Sequence, residues 1–277
     1  MNRRKAMKLA AGVFAGGGIG LVTLANAFKP EKTAIAAPSK IDYNAPETSW
    51  NYARLDPAVT AGLAYDSYSE GSCMFATVKS IINQLAEKVG EPYSSFPIHM
   101  FKYGHGGVGG YGTVCGALNG AAALIGLLIP EKRVQDRMIS DIFQWYENES
   151  FPAFTPEKPN YEFTPPKSVP NSVLCHASNT SWCLDSGYNI SSKERKERCR
   201  RLTADVARKV SFALNDIHSN EYITNVHAND ASNACLACHG KEGKIKNSSV
   251  KMTCNSCHTE SVGHRVFSDV HYKYMNE

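Results

Sequence analysis

The sequence has no large excess of charge of either sign. Its 30 Lys and Arg stand against 26 Asp and Glu, a formal +4 over 277 residues. Part of that excess sits at the N-terminus, in Arg3, Arg4, Lys5 and Lys8. A chain so balanced offers no basic face for nucleic acid. It also lacks a strongly apolar run: the one extended stretch, from about Leu9 to Ala27, is diluted by glycine and alanine. That composition argues against a permanent membrane span. No arrangement of nucleophile, base and orienting acid stands out. Gly104-x-Gly106-x-x-Gly109 matches a dinucleotide fingerprint in spacing only. Such a site needs a preceding strand within a βαβ unit, and Ile98 to Tyr103 is a poor strand, broken by His99 and Lys102. The glycines instead predict a backbone that passes close to a cofactor or a second subunit. From about Asp216 onward, apolar residues become scarce. Roughly 60 such residues cannot build a core of their own.

What the chain does contain is cysteine, nine in all. Four fall in two copies of one pattern, Cys235-Leu236-Ala237-Cys238-His239 and Cys254-Asn255-Ser256-Cys257-His258. C-x-x-C-H is the attachment pattern of c-type haem. Each thiol adds to one vinyl group of the porphyrin, and two intervening residues let one short turn reach both. The histidine that follows, His239 or His258, then becomes the proximal iron ligand. The same four cysteines could form a Cys₄ zinc site. A histidine closing both pairs is what haem requires and what a Cys₄ site does not. Two covalent haems c also explain the weak C-terminal segment, because buried porphyrins supply the core that the side chains do not. Four propionates would bring the mature protein to neutral or acidic.

The N-terminus has a basic start, an apolar middle and small-x-small sites at Ala25-Asn26-Ala27 and Ala34-Ile35-Ala36. This is the layout of a cleaved signal peptide over residues 1–37, leaving no stable membrane anchor. The adjacent Arg3 and Arg4 suggest the twin-arginine route. That route carries proteins already folded around a cofactor, so it hints at a second cofactor besides haem. Haem c is attached outside the cytoplasm, which makes the periplasm the expected compartment. The sequons at Asn148, Asn179, Asn189 and Asn247 carry no weight behind a bacterial-type leader.

Residues 38–215 read as a helical domain and 216–277 as the di-haem segment. The expected fold is mainly α: a helical N-terminal domain plus a small irregular or helical c-type segment. Apolar residues recur at helical spacing from Cys73 to Val89, at Met74, Val78, Ile81, Ile82, Leu85 and Val89. Further helices are predicted over Cys115–Leu128, Val134–Tyr146 and Lys193–Leu214. Phe151 to Pro170 holds six of the 13 prolines and reads as an extended loop. Cys73, Cys115, Cys175, Cys183 and Cys199 lie in the helical domain. Two of them open predicted helices, where the helix end stabilises a thiolate. An iron–sulfur cluster takes four thiolates, leaving one of the five spare. One or two disulfides plus a free thiol fit an exported protein equally well.

The run from Phe101 to Gly120, with Cys115-Gly116-Ala117-Leu118-Asn119-Gly120 at its end, resembles the C-GCAxxG-C-C family of redox proteins. Cys73 lies upstream of it, and Cys175 or Cys183 with Cys199 downstream. Here glycine follows Cys115 rather than preceding it. With two haem motifs appended, the chain resembles the split-Soret cytochromes c of sulfate-reducing bacteria. That resemblance implies a homodimer with two closely packed, bis-histidine haems per subunit. It also implies a cysteine-bound iron–sulfur centre in the helical domain, and does not say whether Cys175 or Cys183 is the spare.

His227 and His264 flank the attachment motifs and are the first candidates for distal ligands, with His271 and His105 next. His105, on the glycine-rich loop, could reach a haem of a partner subunit. Met252 and Met275 compete, but Met252 lies too near Cys254 to fold over the far face of the ring. The leading expectation is an electron carrier serving periplasmic redox partner proteins, not an enzyme. The alternatives are a reductase with one open haem position and a redox sensor using the cysteine domain.

Overall fold

The structure is a computed structural model that describes residues 50–224 and 230–254. The signal peptide expected over residues 1–37, and Cys257, His258, His227, His264 and His271, lie outside the described residues. The described part is mainly α, as the periodicity predicts. Helix α1 spans Pro57–Val89, α2 Gly116–Leu128, α3 Lys132–Asn148, α4 Cys175–Ser186, α5 Lys193–His218 and α6 Asp230–His239. A 3₁₀ turn covers Ile98–Tyr103. Among the described residues there is no strand, only isolated bridges at Val114–Leu174 and Phe151–Ser168. No described helix is long and apolar enough to cross a membrane.

Helix α1 starts because Asp56 accepts hydrogen bonds from the N–H groups of Ala58 and Val59 at 2.8 and 3.2 Å, with Pro57 in the first turn. Both features suit a helix N-terminus. The helix breaks at Ser72, where φ is 66° and ψ −161°. The stripe predicted from Cys73 is therefore the second half of a longer, broken helix, and the first half was not expected. Helix α5 is capped by Ser192, whose hydroxyl accepts from Arg195 N at 3.1 Å.

The core forms where α5 lies along α1. It includes Val78, Ile81, Ile82 and Leu85 from α1 and Leu202, Val206, Val210 and Leu214 from α5. Helix α2 contributes Leu118, Leu124, Ile125 and Leu128, and α3 contributes Val134, Met138 and Ile142. Each such side chain contributes about 1.5–3 kcal/mol by leaving water. Helix α2 approaches α1 closely because Gly116 and Gly120 face it. A Cβ on Gly120 would stand 3.0 Å from the Met74 carbonyl, and one on Gly116 2.1 Å from that of Gly104. In the glycine-rich loop, a Cβ on Gly104 would strike the Met74 side chain of α1, and one on Gly112 would stand 2.9 Å from His176 Cβ of α4.

The proline-rich stretch from Phe151 to Pro170 is extended, as expected, and is tied down at intervals. Trp182 Nε1 donates to Pro166 O at 2.8 Å, Arg201 Nη2 to Phe163 O at 2.7 Å and Asn160 N to the Tyr65 hydroxyl at 2.8 Å.

Candidate functional site: a thiol pocket and a haem-attachment turn

Four of the five domain cysteines lie near one another, three of them at the starts of helical segments. The Val114–Leu174 bridge pairs two segments that both lead into helices. Cys115 N donates to Val173 O at 2.8 Å, and Cys175 N donates to Thr113 O at 2.7 Å. Cys115 is therefore held at the N-cap of α2 beside Cys175 in the first turn of α4. The break at Ser72 does the same for Cys73, which opens the second half of α1; the Met74 N–H then donates to Gly104 O at 3.2 Å. Cys199 comes from α5 and donates to Asn179 Oδ1 at 3.3 Å, while Asn179 Nδ2 donates to Cys175 Sγ at 3.2 Å. Cys73 Sγ stands 3.8 Å from the Tyr68 hydroxyl. The Tyr146 hydroxyl lies against the Cys115 thiol and donates to Ser178 Oγ at 3.1 Å.

Burial pushes the Cys73 thiol well up, and the neighbouring thiols of Cys115, Cys199 and Cys175 add to the effect. Burial likewise pushes Cys175 up to about 12, with Cys115 and Cys199 adding. At Cys115 the N–H groups of Ala117 and Leu118 pull the thiol down, as a helix start should, but burial outweighs them. Raised by burial, the thiols of Cys73, Cys115 and Cys175 keep their protons until a cation replaces them. Cys183 stands apart. It is half-buried, and of the other thiols only Cys199 acts on it.

Among the described residues no three ligating side chains converge as tightly as a single metal ion requires. A polynuclear cluster spans more space than one ion. Four soft thiols around a common pocket suit iron–sulfur or zinc chemistry and exclude hard cations. The pocket therefore fits an iron–sulfur unit held by Cys73, Cys115, Cys175 and Cys199.

The first haem motif ends helix α6. Cys235 and Cys238 are one turn apart and so share a face. Cys238 is exposed and Cys235 half-buried, so both thiols can be reached from outside. The backbone then wraps back: Ile245 N donates to Cys238 O, and Asn247 N to His239 O, at 2.9 and 3.0 Å. Asn247 Oδ1 lies 2.8 Å from His239 Nδ1. An amide oxygen only accepts, so in this pairing the neutral ring would donate from Nδ1 and turn Nε2 to a metal. That is the tautomer an iron-ligating histidine needs. The residues present fit a c-type haem, which would supply one-electron chemistry there.

The second motif is described only up to Cys254, whose thiol contacts that of Cys235. It is tied to the helical domain by Glu147, at the end of α3. The Glu147 carboxylate accepts from Thr253 N at 3.2 Å and Thr253 Oγ at 3.1 Å. Burial pushes that carboxyl up, and the Thr253 donors pull it back. His105 is exposed on the glycine-rich loop.

Arg198, Asn179, Tyr68, Tyr146, Glu147 and Asn247 were not singled out from the sequence. The available signals were faint: Arg198 adjoins Cys199, Asn179 follows Cys175 by one helical turn, and Asn247 reads as a sequon.

The family model for redox-active protein (C_GCAxxG_C_C) matches residues 75–212. Fold and thiol pocket thus define a redox-active protein of this type. Split-Soret cytochrome c of Desulfovibrio desulfuricans is 37% identical over 217 residues, which are 76% of this chain and 77% of that protein. The solved structure of a split-Soret cytochrome c from the same organism, described as holding a novel iron centre, matches with a TM-score of 0.73 at 34% identity. The match covers 79% of this chain and 92% of that one. The chain belongs to the split-Soret cytochrome c family.

Proposed function

We propose that this chain is an exported electron-transfer protein with two covalent haems c and one iron–sulfur centre. The haems attach at Cys235 and Cys238, and at Cys254 and Cys257, with His239 and His258 as proximal ligands. Cys73, Cys115, Cys175 and Cys199 hold the cluster, and Cys183 is the spare. His227 and His264 are the distal ligands of first choice, followed by His271 and His105. Residues 1–37 are a leader, 38–215 the cluster domain and 216–277 the haem segment of a periplasmic homodimer.

The observation that carries this reading is the doubled C-x-x-C-H pattern, with His239 Nδ1 paired to Asn247 Oδ1 at 2.8 Å. Convergence of four thiols supports the cluster, as does the iron centre described for the Desulfovibrio relative. A shuttle needs no substrate pocket, only centres close enough to exchange electrons and fully ligated irons that refuse other ligands.

Mass spectrometry of the denatured mature protein should show two haem additions; one or none would overturn the reading. Anaerobically purified protein should contain non-haem iron and acid-labile sulfide. Its spectrum should be low-spin and indifferent to carbon monoxide. A high-spin component would favour a reductase instead. Ala substitution of His227 or His264 should each create high-spin haem.

A further inference from the structure

Arg198 lies inside the thiol pocket with 1% of its surface exposed. A guanidinium carries a permanent charge and five N–H donors. Nη2 donates to Ser178 Oγ at 2.9 Å, and Nη1 points at Cys199 Sγ, 3.9 Å away. Nε has no partner. Among the described residues no carboxylate pairs with it. Its chain neighbour Glu197 faces the other way, where Arg201 Nε and the Tyr65 hydroxyl donate to Glu197 Oε1 at 2.8 and 2.7 Å. The ionisable groups that face Arg198 include Cys199, Tyr146 and Cys115, and its charge also acts on Cys175 and Cys183. One turn earlier on the same helix, Arg195 faces Cys199, Tyr68 and Cys73.

The site therefore holds a fully buried cation, with a second beside it, and among the described residues no carboxylate pairs with the buried one. An uncompensated buried charge costs several kcal/mol. A core position that only needed filling would take an apolar residue. The missing charge must come with whatever the thiols bind. Four thiols that bind iron lose their protons to solvent and become thiolates, and a thiolate-bound iron–sulfur unit is a net anion. Each electron it accepts makes it more negative.

We propose that Arg198 is the built-in counter-charge of this centre, neutralising it when bound and raising its reduction potential by favouring the reduced, more anionic state. This rests on the iron–sulfur reading of the pocket. The redox step is the gain of one electron by the cluster, delivered by a haem of the same protein or by an electrode, with no bond made or broken. Arg198 touches the cysteines rather than any reacting substrate, and so acts as a charge-compensating residue.

The test uses the full-length, haem-loaded protein and its R198M and R198K variants, each with its non-haem iron and after anaerobic chelation. The wild type is assayed first. Absence of non-haem iron and sulfide there would overturn the pocket reading itself, and with it the role of Arg198. With iron present, R198M should shift the reduction equilibrium of the non-haem centre at least tenfold toward the oxidised form, about 59 mV for one electron. R198K keeps the charge and should stay near the wild-type potential. Stability should separate the two forms. Iron-loaded R198M should melt below iron-loaded wild type, whereas iron-free R198M should melt no lower than iron-free wild type. A structural brace for Ser178 would instead weaken R198M equally in both forms and leave the potential unchanged. That result, or failure of R198M to fold, would overturn the proposal.

Discussion

Ser72 occupies a backbone conformation that belongs to glycine, with φ at 66° and ψ at −161°. Such a conformation costs about 1–3 kcal/mol for a residue with a side chain. The distortion ends one helical segment and lets Cys73 begin the next, so it serves the pocket. Replacing Ser72 by glycine should relieve that strain at a cost of about 0.5–1 kcal/mol in chain entropy. Denaturant unfolding of S72G should show a gain of about 1 kcal/mol with unchanged haem and iron content; a loss would mean that the hydroxyl itself is needed. Asp205 is another residue under tension. Burial pushes its carboxyl from 3.8 up to about 6, although the N–H groups of Ala153 and Phe154 pull it down. An acid whose pKa rises on folding favours the protonated native state. Its favourable contribution is complete below about pH 4 and is lost as pH climbs to about 6. At 1.36 kcal/mol per unit, the change is roughly 3 kcal/mol. D205N keeps an acceptor for the two N–H groups and removes the titration. Relative to wild type it should gain about that much stability between pH 4 and pH 8, and a flat difference across that range would refute the assignment.

Helices were legible wherever their buried face is apolar. Cys73 to Val89, α2, α3 and α5 all carry stripes of Leu, Ile, Val or Ala, and hydrophobic burial leaves that trace in any sequence. The first half of α1 and the whole of α4 leave none. The former buries Thr60, Ala61, Ala64, Tyr65 and Ser67. The latter buries Ser178, Asn179 and Trp182. Ser178 and Asn179 face thiols and a guanidinium rather than other apolar side chains, so periodicity has nothing to detect. Missing α4 is what left Cys175 and Cys183 indistinguishable: one opens that helix toward the pocket, and the other lies near its far end. The two C-x-x-C-H patterns stand out for the opposite reason, since the haem reading proposed for them rests on local spacing. Contacts between elements remained out of reach. The link from α3 to the haem segment rests on Glu147, whose carboxylate takes both Thr253 donors just before Cys254. E147A would remove two hydrogen bonds to a carboxylate, each contributing about 1.5–3 kcal/mol where it is buried. Chemical denaturation should show a loss of about 2–3 kcal/mol for E147A, with a perturbed Soret band. E147Q keeps one accepting oxygen and should lose less. An E147A variant as stable as wild type would show that this contact does not hold the segment.

On the scale of the whole molecule, the two haems proposed above pose the question of how so short a segment would cover two porphyrins. The described part of the haem segment leaves Ile223, Ile245 and Val250 exposed, by 64%, 53% and 48%. The glycine-rich loop and the turn before it expose Met100, Tyr103 and Tyr111, the last by 88%. Apolar groups this open on a small domain point to surfaces that something else covers. The helical domain can cover one side of the haems. A second copy of the segment is the economical cover for another, because a two-fold axis buries the same patch twice. Such a pairing would join the electron paths of two subunits and bring porphyrins near enough for their optical transitions to couple. We therefore expect sedimentation at twice the mature subunit mass. The reduced protein should show a divided Soret band, and the division should disappear under conditions that separate the subunits while haem content stays constant. A monomer at micromolar concentration with a single symmetric Soret band would refute this assembly. A divided band that survived dissociation would place the coupling within one subunit.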